Sequence, residues 1–240
     1  MSRRFGADQL VAANAPFWAA EAELCRTYFE SDTRTFDSDL RWLALQASKE
    51  LVDGVQARTD DPGVVAEEVQ HLAAFTAAYD ELVELAGDVG AEHPPLTEDH
   101  LQRSASWTAN AALRELRQQH RAEHGTIGFL AGVVTEGGAA TLFREGAARA
   151  GIGPVDDAIA AACAAVLADE EHHAADALAA MEAEVGDDAG WVLATSCTVE
   201  QSRQRLHMRS EQFGHPVKPA RFKAMLAGMV DPAPVLGLLR

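Results

Sequence analysis

Glu and His stand three residues apart twice in this chain, as Glu68-Val69-Gln70-His71 and as Glu170-Glu171-His172-His173, each time inside an apolar helical stretch. Positions i and i+3 share one face of a helix, so each pair offers a carboxylate and an imidazole to the same point. The neighbours of Glu68 at three and four residues are Val64, Val65, His71 and Leu72, and those of Glu170 are Val166, Leu167, His173 and Ala174. A solvated carboxylate sits among polar neighbours, away from the apolar stripe. Ionisable pairs in the middle of a buried face are costly unless a cation or a partner satisfies them. The chain must therefore fold so that two helices turn charged groups inward.

Spacing alone is weak, because 20 Glu and 9 His in 240 residues produce about one such pair by chance. A third inward carboxylate strengthens it. Glu136 is flanked at the same offsets by Gly132, Val133, Ala139 and Ala140, about 15 residues before the Gly151–Pro154 turn, and Glu170 lies about 16 after it. In an antiparallel hairpin those two carboxylates fall at nearly the same height. Glu67 and Asp169, each just before a candidate ligand, are placed to serve the histidine of the opposite pair: Asp169 for His71 and Glu67 for His173. Metal-bound histidines commonly donate their other N–H in this way. A pair of solvated charges is the competing reading.

The chain around these residues reads as all-α. Hydrophobic residues make up 48% and aromatic ones only 6%, with alanine dominating, which favours helices over sheet. Helical regions are expected over 8–31, with Pro16 marking a kink or fresh start, and over 38–55, capped by Asp37 or Ser38. Thr59–Gly63 reads as a turn, followed by a helix to about 86 and a break at 87–96. Further helical stretches run from Thr97 to about 150, loosening near Gly125 and Gly128, then over 155–185 and 190–213. The expectation is a single helical domain over 1–240, with the metal-binding core at about 16–186 and a C-terminal helix and tail at 187–240.

The net charge of −17 and pI near 4.8 argue against nucleic acid or an anionic membrane as partner. No stretch reads as a signal sequence or as a continuous membrane span. Cys25, Cys163 and Cys197 lack metal-type spacing and suit a reducing compartment, so a cytoplasmic location is expected.

Glu68/His71, Glu136 and Glu170/His173 resemble the ferritin-like di-iron carboxylate superfamily, whose pattern is a carboxylate, Glu-x-x-His, Glu and Glu-x-x-His. The Asp-Glu-x-x-His-Ala run at 169–174 is similar to its oxygenase-type members. The resemblance covers about residues 60–180 and implies a four-helix bundle, here with additional helices at both ends; a heme-oxygenase-like di-metal helical fold is the alternative. It also implies two iron ions, or manganese and iron, with O2 as co-substrate. The first-helix carboxylate departs from the pattern. Glu30 and Asp37 have the family's spacing but polar or cap-like settings, and Glu50 is flanked by Gln46 and Asp53. Glu21 has Phe17, Trp18, Leu24 and Cys25 around it and is the choice, giving Glu21, Glu68, His71, Glu136, Glu170 and His173 as the expected ligand set.

Small residues near Glu136 (Gly132, Gly137, Gly138, Ala139) would leave room beside the metals, or would serve close helix packing. His120 and His124, among Arg117, Gln118, Gln119 and Arg121, and the pair Glu171 and His172, read as exposed faces. The function implied is that of a non-heme di-iron oxidase or oxygenase that hydroxylates, desaturates or N-oxygenates a small organic substrate. Its electrons would come from a ferredoxin or flavin reductase, and a homodimer is compatible. An iron-handling ferroxidase or ferritin-like store is one alternative, and a metal-free helical interaction protein is another.

Overall fold

Caps and apolar stripes turn most of the chain into helix. The structure, a computed structural model, describes residues 5–56, 62–105, 107–137 and 140–236. Among the described residues there are helices and turns and no strand, so the protein is all-α. Helix α1 (Ala7–Phe29) runs through Pro16 as one helix. Helix α2 (Phe36–Lys49) begins at a capping box in which Thr35 is the cap and Ser38 its reciprocal partner, so the expected cap at Asp37 or Ser38 is displaced to Thr35. It continues into a π-helical segment (Glu50–Val55). The predicted Thr59–Gly63 turn lies mostly outside the described residues.

Next come α3 (Pro62–Ala86), the single turn α4 (Asp88–Ala91) within the expected break, and α5 (Glu98–Ser104). The order continues with α6 (Thr108–Gly137), α7 (Thr141–Ala147), α8 (Pro154–Glu184), α9 (Asp188–Gln212), α10 (Pro219–Leu226) and α11 (Ala233–Leu236).

Helix α6 is two arms. Gly125 has φ 57° and ψ −129°, a conformation open to glycine and closed to residues with a Cβ. The chain turns back there, so 108–124 lies along 126–137. Arg117 Nη1 is 2.7 Å from Glu136 Oε1, whereas 19 residues of continuous helix would separate them by about 28 Å. Against the expectation that no stretch approaches the length of a membrane span, Thr108–Ala147 contains a window long and apolar enough to cross one; 67% of that window is buried within the protein.

Helix α3 packs on α2, the π-segment and α8, while α8 also packs on α6 and α7, and α9 lies against α6 and α1. Two large apolar clusters result, with a smaller one of Phe17, Ala20, Leu206 and Met225 beside them. The first gathers Leu24 and Phe29 of α1, Trp42 of α2, Phe75 of α3, Val166 of α8 and Phe213. The second gathers Leu10 and Trp18 of α1, Val134 of α6, Met181 of α8 and Trp191 of α9. Helices α1 and α8 each contribute to both clusters and change from one to the other at charged residues, Glu21 and then Glu170 with His173; α9 contributes to the second, its cap Phe213 to the first, with Arg205 and Arg209 between. A polar layer thus separates two apolar halves.

Phe213, at the end of α9, closes the first cluster. Its ring stacks on Tyr28 with centroids 4.3 Å apart and meets Phe29 and Trp42 edge-on, each at 5.7 Å. Truncation leaves a cavity that three helices cannot fill together, so Phe213→Ala is expected to lower the unfolding free energy by about 3–5 kcal/mol. Val192→Ala, at a half-exposed position, is expected to change it by less than about 0.5 kcal/mol; urea unfolding of the two variants measures both.

Candidate metal centre

Four segments bring carboxylates and histidines together in the polar layer: the α2–π junction, α3, the second arm of α6, and α8. Glu50 is the first residue of the π-segment. A π-turn holds an extra residue and is a recurrent feature of functional sites. Glu50, Glu68 and His71 are all buried, and one ligand atom from each lies within 4.8 Å of the others. Gly54, one turn after Glu50, makes this approach possible. A methyl group there would overlap the Glu68 carboxylate, standing 2.7 Å from its Cδ.

The two Glu/His pairs are cross-linked. His71 Nε2 lies 3.1 Å from Asp169 Oδ2, and His173 Nε2 lies 3.1 Å from Glu67 Oε2. Each histidine thus takes the acid that precedes the other pair's glutamate, the arrangement suggested by the spacing. With Nε2–H donating outward, Nδ1 turns inward. His71 Nδ1 is 3.7 Å from Glu68 Oε2, and His173 Nδ1 is 3.9 Å from Glu170 Oε2. His71 Nδ1 and Glu170 Oε2 are buried atoms without a hydrogen-bond partner. Orphaned buried groups of this kind call for an explanation, and a bound cation at each is a direct one.

Charge makes the same point. Glu50, Glu68, Glu136 and Glu170 face one another, and the ammonium of buried Lys49 lies 3.9 Å from both Glu50 and Glu136. Burial pushes the Glu50 carboxyl up to about 7; Lys49 opposes this, and Glu68 adds to it. Glu170 is likewise raised, by burial and then by Glu136. Burial alone would lower His71, but Glu68, Glu50 and Asp169 hold it up at about 9. Lys49 too is raised against burial by its carboxylates. Without a metal, the group keeps protons to offset its own negative charge. This donor set of carboxylates and imidazoles suits a divalent transition metal.

Of the expected residues, Glu68, His71, Glu136, Glu170 and His173 come to this layer, and Glu50 rather than Glu21 stands with Glu68. Glu21 is buried in the same layer but faces α9. Arg205 Nε donates to it at 2.9 Å and Arg209 Nε at 3.0 Å, and these two guanidiniums lower its pKa against the effect of burial. It acts at one remove, because Arg209 also reaches Gln46, whose amide donates to Glu50. Glu30 and Asp37 are exposed. Glu136 accepts from Arg117 on its other side. The first half of the group is therefore the more closely gathered one, whereas the residue pattern alone makes the second half the firmer.

Gly138 and Ala139 lie outside the described residues, as do the side chains of Glu171 and Ala174. His120, expected on an exposed face, is buried and accepts at Nδ1 from Gln201 at 3.0 Å. Lys49, Gln46 and Arg117 were not read as parts of the site. The polar neighbours of Glu50 were the available signal: Gln46 is buried beneath it, and Asp53 is bound to Asn110 and Arg114.

Removing Glu21 would leave two buried guanidiniums without their counter-ion. Glu21→Ala is expected to cost about 3–5 kcal/mol of unfolding free energy in urea. A loss below about 1 kcal/mol would show that Arg205 and Arg209 do not depend on it. No family model, curated protein or solved structure matches the chain.

Proposed function

We propose that the protein is a di-metal carboxylate enzyme, an O2-dependent oxidase or oxygenase acting on a small organic substrate, built on a ferritin-like arrangement of the α2–π junction, α3, the second arm of α6 and α8. The observation that carries this reading is the pair of cross-linked Glu/His units. Two histidines present Nδ1 to a common polar layer, and each is fixed from behind by an acid of the other unit. Surface ion pairs have no reason to take that reciprocal form.

Glu50, Glu68 and His71 would hold one metal, and Glu170, His173 and Glu136 the other. Bound iron, or iron with manganese, would supply the electron-transfer chemistry that O2 requires. The protein's own part is to orient and to exclude water. Asp169 and Glu67 fix the histidine tautomers, Gln46 steadies Glu50, and Lys49 balances charge when fewer cations are present. The two apolar clusters keep solvent from either side of the layer. Electrons would come from a ferredoxin or flavin reductase, and the three buried free thiols are in keeping with a cytoplasmic setting. A cavity beside Glu136, between the arms of α6, favours an enzyme with an organic substrate over an iron store, which needs no such space.

Metal analysis of protein purified under iron supplementation is expected to find about two ions per chain, with loss on Glu50→Ala or Glu68→Ala. Absence of metal sinks the reading. Affinity should rise with pH, because a metal must displace the protons held by Glu50 and His71, which leave near 7 and 9 respectively. Metal titrations between about pH 6 and 9 should show tighter binding at the alkaline end and proton release on binding; a flat profile would contradict the assignment of these two ligands.

A further inference from the structure

The groove between the arms of α6 holds a cavity of about 270 Å³ that reaches Glu136. One wall is cationic. Arg114, Arg117 and Arg121, spaced three and four residues apart, line it from the first arm, the spacing that places side chains on one helix face. In a chain with 20 Lys and Arg against 37 Asp and Glu, three guanidiniums on one cavity run against the overall charge. The opposite wall is small and apolar, made by Phe129, Gly132 and Val133.

The guanidiniums are not fully matched from within. Arg114 pairs with Asp53 at 3.0 Å, and Arg117 with Glu136 at 2.7 Å through Nη1 alone. Arg121 has no ion pair among the described residues and is held over the Phe129 ring, 5.2 Å from its centroid. That leaves three positive groups against two carboxylates. Arg117 Nε and Nη2 are also buried without an acceptor. These two nitrogens form the edge of a guanidinium that takes a carboxylate through parallel hydrogen bonds. Gly132 stands across from that edge, where a Cβ would already lie 3.9 Å from Nε.

We infer that this cavity is the substrate site and that it takes a small organic carboxylate, the anionic end engaged by Arg117 and Arg121 and the apolar body lying along Phe129 and Val133. The substrate assignment rests on the reading of Glu136 as a ligand of the candidate metal centre. The recognition of a carboxylate rests on the arginines alone.

Binding is therefore measured by calorimetry on the full chain, both metal-loaded and stripped with chelator. The probes are hexanoate and benzoate, their uncharged amides hexanamide and benzamide, and inorganic phosphate. At least one carboxylate is expected to bind in both forms, at least about tenfold tighter than its amide and tighter than phosphate. Arg121→Gln, a change at the mouth of the groove, should weaken carboxylate binding several-fold while leaving the thermal unfolding midpoint in place. Arg117→Lys should weaken it further, because an ammonium lacks the paired donors. Equal binding of amides and carboxylates, preference for phosphate, indifference to both substitutions, or no carboxylate binding up to about 10 mM would each overturn the inference. If carboxylate binds and metal analysis is blank, the di-metal reading fails and the anion site stands. If metal is present and no carboxylate binds, the anion site alone fails.

Discussion

Four carboxylates and a lysine share one layer between two apolar clusters, and most of what is distinctive in this fold serves to make that layer tolerable. Like charges at this depth raise one another's proton affinity, and burial adds to the effect at Glu50 and Glu170. The protein answers with fixed partners on the outer side of each ionisable group: Gln46 on Glu50, Asp169 on His71, Glu67 on His173 and Arg117 on Glu136. What stays unmatched lies on the inner side, at His71 Nδ1 and Glu170 Oε2. A layer satisfied from outside and open toward its centre is preorganised for a cation. The network of Glu21 with Arg205 and Arg209 instead sets opposite charges directly against each other.

Backbone irregularities give the layer its shape. The π-segment widens α2 where Glu50 must reach Glu68, and Gly54 removes the side chain that would block that approach. At Gly125 the chain reverses and brings Arg117 over Glu136. The π-segment also lends Leu51 to the first apolar cluster. Both features add carboxylate or guanidinium to one place, and departures from regular helix are best explained by what they position.

Helix content and the histidine units were legible because the signals are local: the i, i+3 spacing sets a shared face, and the flanking residues show whether that face is buried. The same local test misled at Glu21 and Glu50. Apolar neighbours correctly marked Glu21 as buried, but the partners that satisfy it stand 184 and 188 residues away on α9, beyond any window of periodicity. Polar neighbours give Glu50 the pattern of a solvated residue, yet Gln46 is wholly buried and donates to it. A polar flank and a hydrogen-bonded second layer look alike in sequence. The reversal in α6 was only hinted at by its glycines, since two glycines in a helical stretch can mean close packing as readily as a turn.

Charge balance ties the cavity to the layer. Glu136 belongs to both, bound to Arg117 on the cavity side and 3.9 Å from Lys49 on the other. Any cation drawing Glu136 inward would weaken its hold on Arg117 and leave that guanidinium with more unmet donors, facing a cavity already one positive charge in surplus. The converse also holds: an anion on Arg117 would release Glu136 toward the layer. Binding at one site would then favour binding at the other, because both compete with the same Arg117–Glu136 pair, and such coupling is reciprocal by thermodynamic necessity.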